Sequence, residues 1–92
     1  MLRIEKLSGP TSTILKLSGW IQEESLPLLQ AEIHACDGTP RLDLTDVTFV
    51  DRSTVQFLVQ RESEGMQLVN CPLYIREWIT RERSKHWRRG LE

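Results

Sequence analysis

Apolar and polar positions change period several times along this chain, and each change marks an expected element. Residues 2–7 alternate, with Leu2, Ile4 and (weakly) Lys6 against Arg3, Glu5 and Leu7, which predicts a first strand at a sheet edge. Ser8-Gly9-Pro10-Thr11 is turn chemistry, since glycine reaches positive φ and proline presets φ in a turn. Thr13 to Leu17 is apolar and β-branched, a second strand antiparallel to the first, ended by Ser18-Gly19.

The period then lengthens. Leu26, Leu29, Ile33 and Cys36 recur on one helical face, after Ser25 as an N-cap and Pro27 in the first turn. Asp37-Gly38-Thr39-Pro40 ends this helix, with Gly38 suited to the left-handed position past its end. Arg41 to Leu44 predicts a third strand. A second helix follows from about Ser53 to Glu64, with Val55, Leu58 and Val59 as its apolar face and Gly65 closing it. Met66 to Val69 is a short fourth strand, broken by Asn70-Cys71-Pro72. A third helix runs from Leu73 to about Arg83, placing Ile75, Trp78, Ile79 and Glu82 on one side. The expected order is β-β-α-β-α-β-α. It predicts an α/β domain with a single mixed four-stranded sheet, antiparallel at its first hairpin, and helices packed on the sheet. The expected domain is residues 1–83, with a basic tail at 84–92 whose last two residues, Leu91-Glu92, read as a cloning scar.

Composition narrows the function classes. The chain has 92 residues, 39% hydrophobic and 27% charged, with a net charge of −1, which excludes a disordered acidic tail and a wholly basic nucleic-acid binder. No apolar run approaches the roughly 18 residues of a membrane span, and the N-terminus reads as a strand, so the cytoplasm is the expected compartment. Charge is uneven. Residues 1–75 hold 6 Lys/Arg against 10 Asp/Glu, and residues 76–92 hold 6 against 3. The basic end, Arg81 to Arg89 with Trp87, invites a nucleic-acid reading, but a solvated helix end whose cations suit the C-terminal dipole is favoured, and no nucleic-acid partner is expected. Trp78 is expected in the core, Trp87 over the body or a neighbouring chain, and Trp20 in the core or partly buried; an exposed Trp20 is a contact-site candidate. Cys36 and Cys71 are expected as small buried hydrophobes without a disulfide. His34 and His86 lack zinc-type spacing, so no metal is expected.

The chemistry concentrates at Asp51-Arg52-Ser53-Thr54, where a strand hands over to the second helix. A hydroxyl at such a turn caps the helix, binds a partner or accepts a phosphate. Ser53-Thr54-Val55-Gln56 fits a capping box, with Ser53 bonding forward and Gln56 reaching back. Asp51 suits a cap, or a group that positions a metal-nucleotide or a partner's basic side chain. Thr54 is a second, weaker acceptor candidate. Arg52 is a solvated side chain or the residue that meets an acidic partner, its guanidinium pairing with a carboxylate. The chain has no glycine-rich phosphate loop, nucleophile elbow or triad, so neither an enzyme nor a cofactor is expected, and no residue is assigned a catalytic role.

At these residues the chain resembles a known family. Leu17-Ser-Gly19-Trp-Ile21, then Leu42-Asp-Leu-Thr-Asp-Val-Thr-Phe-Val-Asp51-Arg-Ser53-Thr-Val55, then Glu64-Gly-Met-Gln-Leu-Val69 are similar to a STAS domain, the module of bacterial anti-sigma factor antagonists and sulphate-transporter tails. The resemblance covers roughly residues 2–80. It implies a non-enzymatic switch. In the antagonists the unphosphorylated form binds an anti-sigma factor that is also a serine kinase, and phosphorylation of a serine at the tip of the second helix breaks the complex. The family motif is Asp-Ser-Ser-Gly with the second serine modified. Position by position it makes Asp51 the aspartate and Ser53 the acceptor, with Arg52 in place of the first serine and Thr54 in place of the glycine. The expected partner surface is Asp51, Arg52, Ser53, Thr54 and Gln56. The alternative is a constitutive STAS-type subunit of a transport ATPase complex, with the same residues in an unmodified interface.

Overall fold

Two long parallel strands carry the core, and everything else is arranged on them. The computed structural model describes the backbone of residues 2–36 and 38–91, and the side chains of these as far as Ser84. The strands are β1 (Leu2–Ser8), β2 (Thr13–Ile21), β3 (Arg41–Val50) and β4 (Leu68–Val69). The helices are α1 (Leu26–His34), preceded by a 3-10 turn at Glu23–Ser25, α2 (Arg52–Ser63) and α3 (Leu73–Leu91). In space the sheet runs β1-β2-β3-β4, with β1 antiparallel to β2 and the other neighbours parallel. The protein is a small α/β fold with a four-stranded mixed sheet and three helices. Among the described residues no helix is long and apolar enough to cross a membrane.

The third strand is more than twice as long as its alternation predicts, and two bulges are the reason. Lys16 pairs with Asp43 but Ser18 with Asp46, and Gly19 pairs with Val47 but Trp20 with Phe49. Each break inserts one extra residue into β3. Strict alternation holds for Leu42 and Leu44, then steps by three to Val47 and Val50, and all four are buried. The unpaired residues fall in exposed doublets, Thr45-Asp46 and Thr48-Phe49, which break the period-2 signal. At the first bulge the Asp43 carboxylate accepts from Thr45 N (2.9 Å) and Thr45 Oγ1 (2.6 Å). Opposite the second, Gly19 sits at φ +86°, a conformation that costs a Cβ-bearing residue strain. Gly19 therefore does not end β2, as its composition suggested; it lets the strand continue to Ile21.

One core lies between the helices and one face of the sheet. Leu15, Leu17 and Ile21 of β2 meet Leu29 and Ile33 of α1, Val55, Leu58 and Val59 of α2, and Ile75 and Ile79 of α3 in a single cluster. The opposite sheet face carries Lys16, Trp20, Asp46 and Phe49, none of them buried. Ser25 stands at the N-cap position of α1 but makes no capping hydrogen bond, because the preceding 3-10 turn already has helical backbone there. The expected fourth strand shrinks to two residues, although Met66 is still in the core. Both cysteines are free; Cys36 is buried, while Cys71 is only half-buried, and burial pushes its thiol pKa up. Trp78 packs partly buried against the core. Helix α3 continues to Leu91, so no helix end falls at residue 83. The expectations for Asp37, for the side chains of Lys85 to Arg89, Trp87 included, and for the 91–92 scar lie outside the described residues.

Helices α2 and α3 are also clamped by charge. Glu62 of α2 accepts two hydrogen bonds from the Arg76 guanidinium, both 3.1 Å, in a bidentate fork, and a third from Arg83. Burial raises the Glu62 pKa, but the hydrogen bonds and charge of Arg76, with those of Arg83, outweigh it and leave the pKa below the usual carboxylate value. A carboxylate with a depressed folded pKa contributes stability above its unfolded pKa and loses it as pH falls through the folded one. Stability should thus decline in acid from about pH 4 downward. Glu62→Gln should flatten that decline while lowering stability at pH 7, measured by urea denaturation across a pH series. Gly19→Ala should cost about 1–2 kcal/mol in the same assay, because alanine is strained at that φ.

Candidate functional site

The turn from β3 into α2 is organised by one carboxylate. Asp51 is extended (φ −99°, ψ 178°) and is the N-cap of α2. Its Oδ1 accepts from Thr54 N at 2.9 Å, the N–H that a capping side chain ordinarily satisfies. Its Oδ2 accepts from Glu23 N at 2.9 Å, in the segment that leaves β2. Thr54 closes the loop between these segments. Its Oγ1 lies 2.8 Å from Ile21 O and 2.7 Å from Asp51 Oδ1, so a single hydroxyl proton is shared between two acceptors. Asp51 N also donates to Ile21 O, at 3.4 Å. Burial raises the Asp51 pKa, but the hydrogen bonds from Thr54 and Glu23 more than offset it, and the carboxyl titrates below 3.8.

Of the two expected caps, Asp51 is the one used. Ser53 is not the N-cap and, among the described residues, no Ser53–Gln56 capping box forms; Asp51, two residues earlier, caps the helix by accepting from Thr54 N. Ser53 is the second residue of α2 and is partly exposed. Among the described residues nothing hydrogen-bonds its hydroxyl. Gln56 is exposed one turn on. Thr54 is fully buried, so it is internal to the turn and its hydroxyl is out of reach of a modifying enzyme. Asp51 has both oxygens committed to backbone donors, which leaves its carboxylate a scaffold. Arg52 begins α2 with its side chain 66% exposed, but its Nε lies 3.7 Å from Glu82 Oε1, whose side chain is 9% exposed. Composition suggested a solvated arginine; the structure brings it to an internal acid on α3.

Aromatic residues gather at the same end of the sheet. Trp20 and Phe49 are register partners at the ends of β2 and β3, with rings edge-to-face at 6.3 Å. Trp20 is 54% exposed, more than its apolar character predicted, and Phe49 is 45% exposed. Tyr74 of α3 is half-exposed and donates its hydroxyl to Thr48 O at 3.0 Å, which fixes the start of α3 beside Phe49. The apolar surface and the Asp51 turn are joined through Ile21 and Glu23, immediately after Trp20. Phe49 was not singled out from sequence; the signal was its place in a doublet that breaks the alternation of β3.

Two substitutions measure how much the turn depends on these bonds. Thr54→Val keeps the shape and removes the hydroxyl, leaving a buried Ile21 carbonyl less well served, and should cost about 1–2 kcal/mol. Asp51→Ala removes the cap and the Glu23 contact together and should cost about 2 kcal/mol, with the loss concentrated in amide protection of Glu23 and the first turn of α2 by hydrogen exchange.

No protein-family model matches the chain, and no curated protein matches it.

Proposed function

We propose that this protein is a STAS-type partner-binding module whose contact surface centres on the start of α2 and is controlled by phosphorylation of Ser53. The observation that carries this reading is the division of labour at the turn. Asp51 and Thr54 do the structural work, and Ser53 is left partly exposed at a helix N-terminus, with no hydrogen bond to its hydroxyl among the described residues. The likeness of the Asp51–Ser53 segment to the family motif, and a mixed sheet with helices between its parallel strands, support the same reading. The partner it implies is a cytoplasmic, kinase-like anti-sigma factor.

The covalent step needs a nucleoside triphosphate held by that partner. Ser53 Oγ forms a bond to the γ-phosphorus, the bond from that phosphorus to the bridging oxygen breaks, the nucleoside diphosphate leaves, and the hydroxyl proton passes to a base of the kinase. The product adds about −1.5 to −2 charges. At the second position of α2 this charge meets the positive end of the helix dipole and N–H groups without helical acceptors, so the fold tolerates it. Its effect is therefore on the partner, through repulsion and loss of fit.

The half-exposed Trp20–Phe49 pair favours a second reading, a constitutive subunit of a transport ATPase complex, because it offers contact area that does not involve Ser53. Incubation with ATP and a serine kinase of the anti-sigma type separates the two. The first reading expects one phosphate, about 80 Da by intact mass, lost in Ser53→Ala; no mass gain supports the second. Phosphoserine at position 53 should weaken binding to the kinase-like partner tenfold or more in calorimetry, while the thermal midpoint moves by less than about 2 °C. Equal binding by the two forms would contradict control at Ser53.

A further inference from the structure

Arg52 and Glu82 connect the candidate switch to the far half of α3. Glu82 follows Ile75 and Ile79 on the buried side of that helix and is itself buried, with 8% of its surface exposed. A carboxylate in such a place needs compensating charge or hydrogen bonds, and Arg52 supplies part of this from the first residue of α2. The contact is loose. At 3.7 Å it is an ion pair outside hydrogen-bond distance, made by an arginine whose side chain is 66% exposed. The other charged tie in this part of α3, Arg83 to Glu62, also runs to α2. Among the described residues, two ion pairs tie the distal half of α3 to α2, and one of them begins next to Ser53.

We propose that the Arg52–Glu82 pair is a latch that a phosphate on Ser53 opens, so that modification at the start of α2 is transmitted to the far end of α3. The proposal rests on the reading of Ser53 as a phosphoacceptor. A phosphate has up to two negative charges and several acceptor oxygens, and a guanidinium binds it with paired, charge-assisted hydrogen bonds. Glu82 offers Arg52 one charge at a longer distance. Side chains on successive helix positions point about 100° apart, so the arginine has to swing around the end of α2 to reach the phosphate. Its position at the first residue, with a long stem already mostly in solvent, leaves that path open. Once Arg52 turns away, Glu82 stays buried with less compensation, and the last turns of α3 loosen. Arg52, one of the two departures from the family motif, thereby gains a role of its own: it reads the modification within the same chain.

The test uses the full chain with phosphoserine installed at position 53 during translation, so that neither kinase nor partner is needed. Amide hydrogen exchange is followed by mass spectrometry over residues 80–91 in wild type, Arg52→Ala and Glu82→Gln, each with and without the phosphate. Arg52→Ala alone should speed exchange there by about 1.5- to fivefold, the range expected of such an ion pair. The phosphate should produce the same acceleration in wild type and none beyond it in Arg52→Ala. In Glu82→Gln, where no buried charge depends on Arg52, the phosphate should change little. The proposal is overturned if Arg52→Ala leaves the segment unchanged, if the phosphate leaves wild type unchanged, or if it accelerates exchange equally in Arg52→Ala. Titrating the same proteins with the kinase-like partner keeps the two ideas apart. Unaltered partner binding with a loosened α3 defeats the functional reading and leaves the latch standing; weakened binding with an unchanged α3 does the reverse.

Discussion

The structure turns on the Asp51 carboxylate. With its two oxygens it joins two pieces of chain that lie far apart in sequence: the first turn of α2, through Thr54 N, and the end of β2 with the segment after it, through Glu23 N and through the Thr54 hydroxyl that also reaches Ile21 O. Hydrogen bonds to an ionised acceptor are about twice as strong as neutral ones, and here they satisfy donors that helix and strand ends would otherwise leave unpaired. The direction in which α2 leaves the sheet follows from this cluster. So does the placement of Val55 and Leu58 in the core, because the first turn sets the rotation of the whole helix.

That constraint also decides what the neighbouring residues are free to do. A serine that caps a helix is occupied; a serine two residues beyond an aspartate cap is not. Thr54 illustrates the opposite fate. Its hydroxyl is consumed inside the turn, and its methyl group lies in a site with no solvent access. A bulky residue at this position fits a turn that is locked from within and presents its surface outward through Arg52, Ser53 and Gln56. A turn locked in this way would lower the ordering cost of the partner binding proposed for it.

The parts of the fold that obey a single period were legible in the sequence. The Leu26-Leu29-Ile33-Cys36 stripe, the Val55-Leu58-Val59 face and the Leu42-Leu44 alternation all report local geometry, and these residues are buried or packed on the core. The second half of β3 was not legible, because two bulges shift Val47 and Val50 out of phase and a shifted strand looks like a connection. The choice of cap was left open for a related reason. Asp51 and Ser53 are both good caps by composition, and only the extended backbone at Asp51 and the helical backbone at Ser53 distinguish them. The Glu62–Arg76–Arg83 cluster and the Arg52–Glu82 pair join residues 14 to 30 positions apart, and no local pattern encodes which of many surface charges will meet. Glu82 had left a trace, an acidic residue on an otherwise apolar helix face, and its burial beside an arginine explains that placement.

The central claim is that Asp51, ionised and fully engaged, holds the turn and thereby frees Ser53. The most direct measurement is the pKa of the Asp51 side chain, from the pH dependence of its carboxyl carbon chemical shift in wild type and in Thr54→Val. The wild-type value should lie below that of an ordinary aspartate and should rise when the Thr54 hydroxyl is removed. A value at or above 3.8 that Thr54→Val leaves unchanged would mean that the carboxylate is not the acceptor at the centre of this turn, and would contradict the account.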